Sequence, residues 1–133
     1  MILLDTHALI WLVLGSERLG SIARRRCEEL VRTQSVLVSA ISFWEIAILV
    51  RKNRFQLATS PTAWRDSALR QGIIEVPLDG MTAIEAPALR DFHSDPADQL
   101  VVAAALRANA TLLTADERIL QWQGRLSRQD ARL

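Results

Sequence analysis

Residues 1–15 read MILLDTHALIWLVLG, in which an apolar strand, an acid and an apolar helix follow one another without a linker. Residues 2–4 have the apolar character of a buried strand, and residues 7–14 have that of a helix that ends at Gly15. Asp5 lies between them, where a partly desolvated carboxylate is costly unless a cation or a hydrogen bond compensates it. This unit predicts a parallel α/β fold with a polar site at the end of its first strand.

The rest of the chain repeats this alternation of short apolar runs with longer segments of helical period. Further strands are predicted at residues 36–38, 73–76 and 111–113, with a weaker edge strand within 125–133. The intervening helices are predicted at residues 21–32, 42–52, 61–71, 79–87, 97–108 and 116–122. The order of elements is typical of an α/β protein with a mainly parallel sheet of four to five strands.

Length, composition and charge exclude several classes of protein. The 133 residues are expected to form a single domain, residues 1–133, and half of them are apolar. Sixteen basic and fifteen acidic residues give a net charge of +1, so no net field requires DNA or a membrane surface. All the cations but Lys52 are arginine, which suits phosphate binding, although a GC-rich gene produces the same excess.

The cysteine content and the apolar runs bear on the compartment. Cys27 is the only cysteine, which excludes an intramolecular disulfide and a cysteine-based zinc site and favours a reducing, cytoplasmic setting. The apolar runs at residues 8–14 and 100–105 are far shorter than the roughly 20 residues of a membrane span. Neither a signal peptide nor a membrane anchor is expected.

Four acids lie at or just after the predicted carboxyl ends of strands, where parallel sheets place their functional groups. Each also has a purely structural explanation, because acids favour the first turn of a helix and Ser42 and Glu45 fit a capping box. If the strands are adjacent, the carboxylates converge and raise one another's pKa unless a cation binds. A site with only oxygen ligands points to Mg²⁺ or Mn²⁺ and to hydrolysis of a nucleic acid. The acids are Asp5, Glu45, Asp98 and Asp116.

Four ordered blocks carry a resemblance to a known family. They read LLDTH at residues 3–7, SAISFWEIA at 39–47, DPAD at 95–98, running on into Ala103 and Ala104, and LTAD at 113–116. In these blocks the sequence resembles PIN-domain proteins, and more narrowly the VapC ribonuclease toxins of type II toxin-antitoxin systems. The resemblance implies a three-layer α/β/α sandwich, a Mg²⁺- or Mn²⁺-dependent endoribonuclease site and a cognate VapB-like antitoxin.

The resemblance also assigns roles to residues. It implies that the four acids are catalytic and metal-binding, with Asp5 and Asp98 as the most direct ligands and Glu45 and Asp116 completing the pocket. Thr114 matches the family's hydroxyl residue beside the last acid, which places it in the catalytic set as a group that orients water or a carboxylate. Two departures concern substrate contacts, because Gln99 and Leu49 stand where many members have a basic residue.

Other residues are assigned from their local pattern. Arg51, Lys52 and Arg54, at the end of the helix that carries Glu45, are candidates for RNA phosphate contacts. His7 and His93 are interpreted as polar residues outside the catalytic set, and Asp95 as a helix cap. Two tryptophans in apolar helical patterns, Trp11 and Trp44, are interpreted as core or interface residues, and the apolar helices suggest a homodimer.

Two other functions fit parts of the pattern. The changes at Gln99 and Leu49 motivate a catalytically silent PIN-like module that only binds RNA or an antitoxin. An acid at the end of the first strand also fits a receiver-like or phosphatase-like domain. Against that class, position 7 is His rather than the second Asp of a nucleophile pair, and Lys52 is poorly placed.

Overall fold

The fold is a five-stranded sheet with helices on both faces, and the computed structural model describes residues 1–133. No helix has both the length and the apolar character that crossing a membrane requires. The strands are β1 (Ile2–Leu4), β2 (Val36–Ser39), β3 (Ile74–Val76), β4 (Thr111–Thr114) and β5 (Arg128–Asp130). The helices are α1 (Thr6–Leu14), α2 (Ser21–Val31), α3 (Ala40–Arg51), α4 (Pro61–Arg70), α5 (Gly80–Glu85), α6 (Pro96–Ala108) and α7 (Glu117–Leu120), and a 3-10 turn, Ala86–Ala88, follows α5.

The sheet is fully parallel in the order β3-β2-β1-β4-β5, so the first strand lies at its centre. Leu4, the last residue of β1, is in register with Val38 of β2 on one side and with Leu113 of β4 on the other. Along the chain, β2 and β3 are added on one side of β1, and β4 and β5 are then added on its other side. In such sheets the crevice for a ligand lies at the carboxyl ends of the strands where this reversal occurs, here between β1 and β4.

Alternating side chains of the central strands supply two separate apolar layers. Ile2 and Leu4 face one layer, which contains residues of α1, α2 and the buried Trp64 of α4. Leu3 faces the other layer, which is built mainly from the alanine- and valine-rich α6. The predicted three-layer α/β/α sandwich with a parallel sheet is therefore confirmed.

The beginning of α3 differs from the sequence prediction. The helix begins at Ala40, and the side chain of Ser39 caps it by accepting a hydrogen bond from the Ile41 N–H at 3.2 Å. Ser42 is fully buried inside the helix and does not act as the cap. Because Ser42 and Glu45 are three residues apart within a helix, they lie on the same face.

Two further predictions concern the edge of the sheet and the tryptophans. The weak edge strand at the end of the chain is present as β5, which pairs with β4. Trp44 does not lie in the core, since 54% of its surface is exposed on α3. Trp11 is half-buried and packs against the apolar layer that Ile2 and Leu4 face.

Candidate active site

A cavity of about 380 Å³ opens at the carboxyl ends of β1 and β4. Its wall holds five carboxylates and a single guanidinium, so its charge is opposite in sign to that of the chain as a whole. The lining residues are Asp5, Thr6, His7, Trp11, Glu45, Asp95, Asp98, Val101, Ala115, Asp116 and Arg118. All four acids predicted from the sequence line this one cavity.

Asp5 is positioned by both of the elements that it joins. Its N–H donates to the carbonyl of Leu113 at 3.1 Å, which ties it to β4, and its Oδ1 accepts from the Ala8 N–H at 2.8 Å as the cap of α1. Burial raises the pKa of Asp5, and the nearby charge of Asp98 adds to this effect. The Thr114 side chain and the Ala8 N–H lower the pKa and so partly offset the rise.

Glu45 reaches the cavity from α3 and is held by the buried hydroxyl of Thr6, which in turn contacts the buried hydroxyl of Ser42. The Thr6 hydroxyl donates to Glu45 Oε1 and is also hydrogen-bonded to the Ser42 hydroxyl at 2.9 Å. Burial raises the pKa of Glu45, Thr6 lowers it, and the charges of Asp98 and Asp95 raise it further. The pattern interpreted as a capping box therefore fixes the orientation of an acid inside the cavity.

Asp98 lies in the first turn of α6, where Asp95 caps the helix as predicted. Asp95 Oδ1 accepts from the Asp98 N–H at 3.0 Å. On the other side, His93 Nε2 lies 2.7 Å from Asp98 Oδ2, and the Gln99 side chain donates to the His93 carbonyl at 3.1 Å. Burial raises the pKa of Asp98, and the lowering effect of His93 does not cancel it.

Asp116 follows β4 and is bound to its own neighbours. Its N–H donates to the Thr114 hydroxyl at 3.1 Å, and its Oδ1 accepts from the Arg118 N–H at 2.8 Å as the cap of α7. Burial acts to raise the pKa of Asp116, but the hydrogen bonds and charge of Arg118 outweigh it and the pKa is lowered. Thr114 is fully buried and contacts the acids from beneath the cavity wall.

The structure adds two side chains that the sequence analysis left out of the site. His93 is a loop residue, as interpreted, but it lies against the acids, because ligand atoms of His93, Asp98 and Asp116 all lie within 4.8 Å of one another. Arg118 joins the same group through contacts of its guanidinium with Asp98 and Asp116. The only sequence signals were their short separations from these acids, five residues for His93 and two for Arg118.

The three predicted phosphate contacts are all exposed, but only one borders a groove next to the cavity. Lys52 lines a groove of about 250 Å³ that shares Glu45 and Asp95 with the acidic cavity. Arg51 and Arg54 are exposed at the end of α3 and line neither space. Leu49 lines the groove beside Lys52.

The chemistry of the donors fits a divalent cation. Burial raises the pKa of three carboxylates in the cavity, so each is costly to keep ionised until a positive charge joins it. Carboxylate oxygens suit Mg²⁺ and Mn²⁺, which keep several waters of their own. At about 30 Å³ a water, six waters occupy roughly 180 Å³, which is less than the volume of the cavity.

Comparison with known proteins identifies the family. A family model described as PIN domain matches residues 2–123, nearly the whole chain. This chain belongs to the PIN domain family. Ribonuclease VapC22 of Mycobacterium tuberculosis (strain ATCC 25618 / H37Rv) is 33% identical over 119 residues, which are 89% of this PIN domain protein and 88% of the relative. The resemblance to PIN-domain proteins of the VapC type is confirmed.

Solved structures share the same fold. VapBC2 from Rickettsia felis, bound to a DNA fragment from its promoter, has a TM-score of 0.72 at 18% identity and covers 97% of this PIN domain and 98% of its own chain. A toxin-antitoxin complex from Klebsiella pneumoniae has a TM-score of 0.64 at 16% identity, with 98% of both chains covered. FitAcB from Neisseria gonorrhoeae has a TM-score of 0.57 at 22% identity and covers 87% of this chain and 88% of its own.

Proposed function

We propose that this PIN domain is a metal-dependent endoribonuclease and the toxin of a VapBC-type toxin-antitoxin system. The convergence of four carboxylates from separate parts of the sequence on one cavity supports this proposal most strongly. The relative named Ribonuclease VapC22 supports the choice of RNA as the substrate. A divalent ion bound there supplies the chemistry, because it lowers the pKa of a water and neutralises charge on the phosphodiester as it is attacked.

In this proposal the four acids have different roles, which follow from their positions in the cavity. Asp5 and Asp98 are the direct ligands of Mg²⁺ or Mn²⁺. Both are half-buried, the Asp5 carboxylate accepts from the Ala8 N–H, and the Asp98 carboxylate lies 2.7 Å from His93 Nε2. Glu45 and Asp116 complete the acidic pocket from opposite sides. Thr114 contributes by favouring the ionised form of Asp5 and accepting the Asp116 N–H, so it acts as a positioning residue.

Side-chain contacts fix the orientation of two of the acids. Thr6 donates to Glu45, and His93 lies within hydrogen-bond distance of Asp98, so neither carboxylate can rotate freely. Preorganised groups of this kind lower the cost of assembling a site when substrate arrives. The RNA backbone is proposed to run from the cavity along the groove that Lys52 borders, with Arg51 and Arg54 as outer phosphate contacts.

The test of this function is RNA cleavage by the purified protein. We expect antitoxin-free protein to cut single-stranded RNA with Mg²⁺ or Mn²⁺, to lose at least about 100-fold of its rate in EDTA, and to regain it when Mn²⁺ is returned. Gel analysis of a labelled RNA pool measures the rate. RNA binding without cleavage in either metal would instead establish the catalytically silent module.

The partners are part of the same proposal. The structural neighbours include a toxin-antitoxin complex and a VapBC2 assembly, which supports a VapB-like antitoxin for this chain. The exposed Trp44 and the partly apolar groove beside it support a protein contact, and we propose a homodimer. The single cysteine agrees with action in the cytoplasm.

A further inference from the structure

Arg118 bridges two of the acids in the cavity through its guanidinium. Its guanidinium Nη2 lies 3.4 Å from Asp98 Oδ2 and 3.2 Å from Asp116 Oδ2, and its Nε lies 3.4 Å from Asp116 Oδ1. Asp98 is also approached by His93, so the same Oδ2 has two nitrogen neighbours. Arg118 therefore lies against the very oxygens that would bind a cation.

The contacts of Arg118 with the two acids are long for charge-assisted hydrogen bonds. Such bonds usually measure about 2.7–2.9 Å, and an ion pair with a largely exposed partner is weak. The side chain of Arg118 is 60% exposed, whereas those of Asp98 and Asp116 are 22% and 27% exposed. The two acids therefore lie mostly within the wall, while most of the Arg118 side chain faces solvent.

A divalent cation and Arg118 compete for these two carboxylates, because each positive charge weakens the attraction of the acids for the other. A doubly charged ion held by Asp98 would compete with the guanidinium for Asp98 Oδ2 and would repel it from the neighbouring Asp116. Arg118 is the only guanidinium that lines the cavity, so its planar fork then becomes the free donor nearest to a bound substrate. A phosphodiester accepts such a fork through two oxygens at once.

We propose that Arg118 is a cation-released phosphate contact: it holds Asp98 and Asp116 when no metal is bound and binds a nucleic-acid phosphate once a divalent ion has displaced it. This inference rests on the proposed metal-dependent nuclease and adds a substrate-binding residue to it. Metal binding and substrate binding are coupled through the one side chain, because the ion frees the donor that the phosphate needs.

The first test is metal affinity in the protein without RNA. Isothermal titration with Mn²⁺ should show binding about three-fold or more tighter in Arg118→Ala than in the wild type, since the competing charge is gone. If Arg118 served only to orient Asp116, its removal would weaken Mn²⁺ binding. Arg107→Ala is the matched control, because Arg107 forms a comparable exposed pair with Glu85 away from the cavity.

The second test is the salt dependence of phosphate binding. A labelled single-stranded DNA of mixed sequence offers the same phosphates as RNA without being the proposed substrate, and fluorescence anisotropy follows its binding. Each phosphate contact adds about 0.7 to the slope of log K against log salt for single strands. Arg118→Ala should reduce the slope by about that amount with Mn²⁺ present and leave it unchanged in EDTA, and Arg107→Ala should change neither.

The outcomes separate this inference from the nuclease proposal beneath it. Wild-type protein that binds no Mn²⁺ overturns the metal-dependent nuclease and the inference together. Wild-type protein that binds Mn²⁺ while Arg118→Ala binds it equally or more weakly overturns only the role of Arg118. An equal loss of salt slope with and without Mn²⁺ also overturns it, because release by the cation would then be absent.

Discussion

Replacing Asp5 with asparagine should reduce the rate of RNA cleavage at least about 100-fold while the protein stays folded. The substitution keeps the size of the side chain but removes the charge of a proposed direct ligand of the ion. Even groups that merely orient a metal ligand are worth about 10–100-fold in affinity or activity, and the loss of a ligand exceeds that. Initial rates at saturating Mn²⁺ measure the effect.

The fold should survive Asp5→Asn for a specific reason. Asn caps helices about as well as Asp, so the hydrogen bond from the Ala8 N–H to the side-chain oxygen can be kept. The substitution also removes a carboxylate whose pKa is raised by burial, which relieves part of its desolvation cost. Asp66→Asn, on the exposed face of α4, provides the control and should cleave RNA at the wild-type rate. Full activity in Asp5→Asn would show that the cavity acids are structural only.

The metal-free protein should become more stable to heat as the pH falls from neutrality, through the raised pKa values of three buried acids, towards their ordinary values of 3.8 and 4.5. Burial raises the pKa of Asp5, Glu45 and Asp98 above their ordinary values in the folded state. The folded protein therefore binds protons more tightly than the unfolded chain, so the free energy of unfolding rises as the pH falls through the folded pKa values. Carboxylates with a lowered pKa, such as Glu75 beside Arg65, lose their stabilising effect only below their ordinary pKa near 4.5.

Mn²⁺ should reverse this pH dependence. An ion at 100 times its dissociation constant adds about 2.7 kcal/mol to the free energy of unfolding, which raises the Tm of a chain of this size by about 10 °C. The rise should be greatest at neutral pH, where the acids are ionised without competition from protons. Calorimetric scans in EDTA and in Mn²⁺ across this pH range measure both effects. A Tm in EDTA that does not rise as the pH falls from neutrality towards the ordinary pKa values of these acids, or a Tm that does not change with Mn²⁺, would contradict the convergence of buried acids on an ion site.

The backbone placement of the site was predictable because it follows from strand order and periodicity. Asp5 and Asp116 each follow an apolar strand, and parallel strands end at the same edge of a sheet, so the two acids had to lie near each other once β1 and β4 paired. Asp98 was predictable in the same way from the cap and proline at the start of α6. These features depend on local signals that act over a few residues.

The features that the sequence did not predict depend on contacts between side chains, and no periodic sequence pattern marks these contacts. The Ser42 and Glu45 pattern is compatible with a helix that begins at Ser42. In the structure β2 pairs with β3 up to Ser39, and α3 begins at the next residue, Ala40. His93 approaches Asp98 from a loop whose path no periodicity describes. Arg118 contacts the acids through a long flexible side chain on a helix of four residues. Neither position can be derived from spacing alone.

The location of bound Mn²⁺ decides whether the converging acids form an ion site. Crystals of the protein grown with Mn²⁺ should show a peak of anomalous scattering in the acidic cavity, with carboxylate oxygens of Asp5 and Asp98 within about 2.5 Å of it. The guanidinium of Arg118 should have moved off Asp98 in the same crystals. An anomalous peak elsewhere on the surface, with the cavity free of metal at saturating Mn²⁺, would contradict the account.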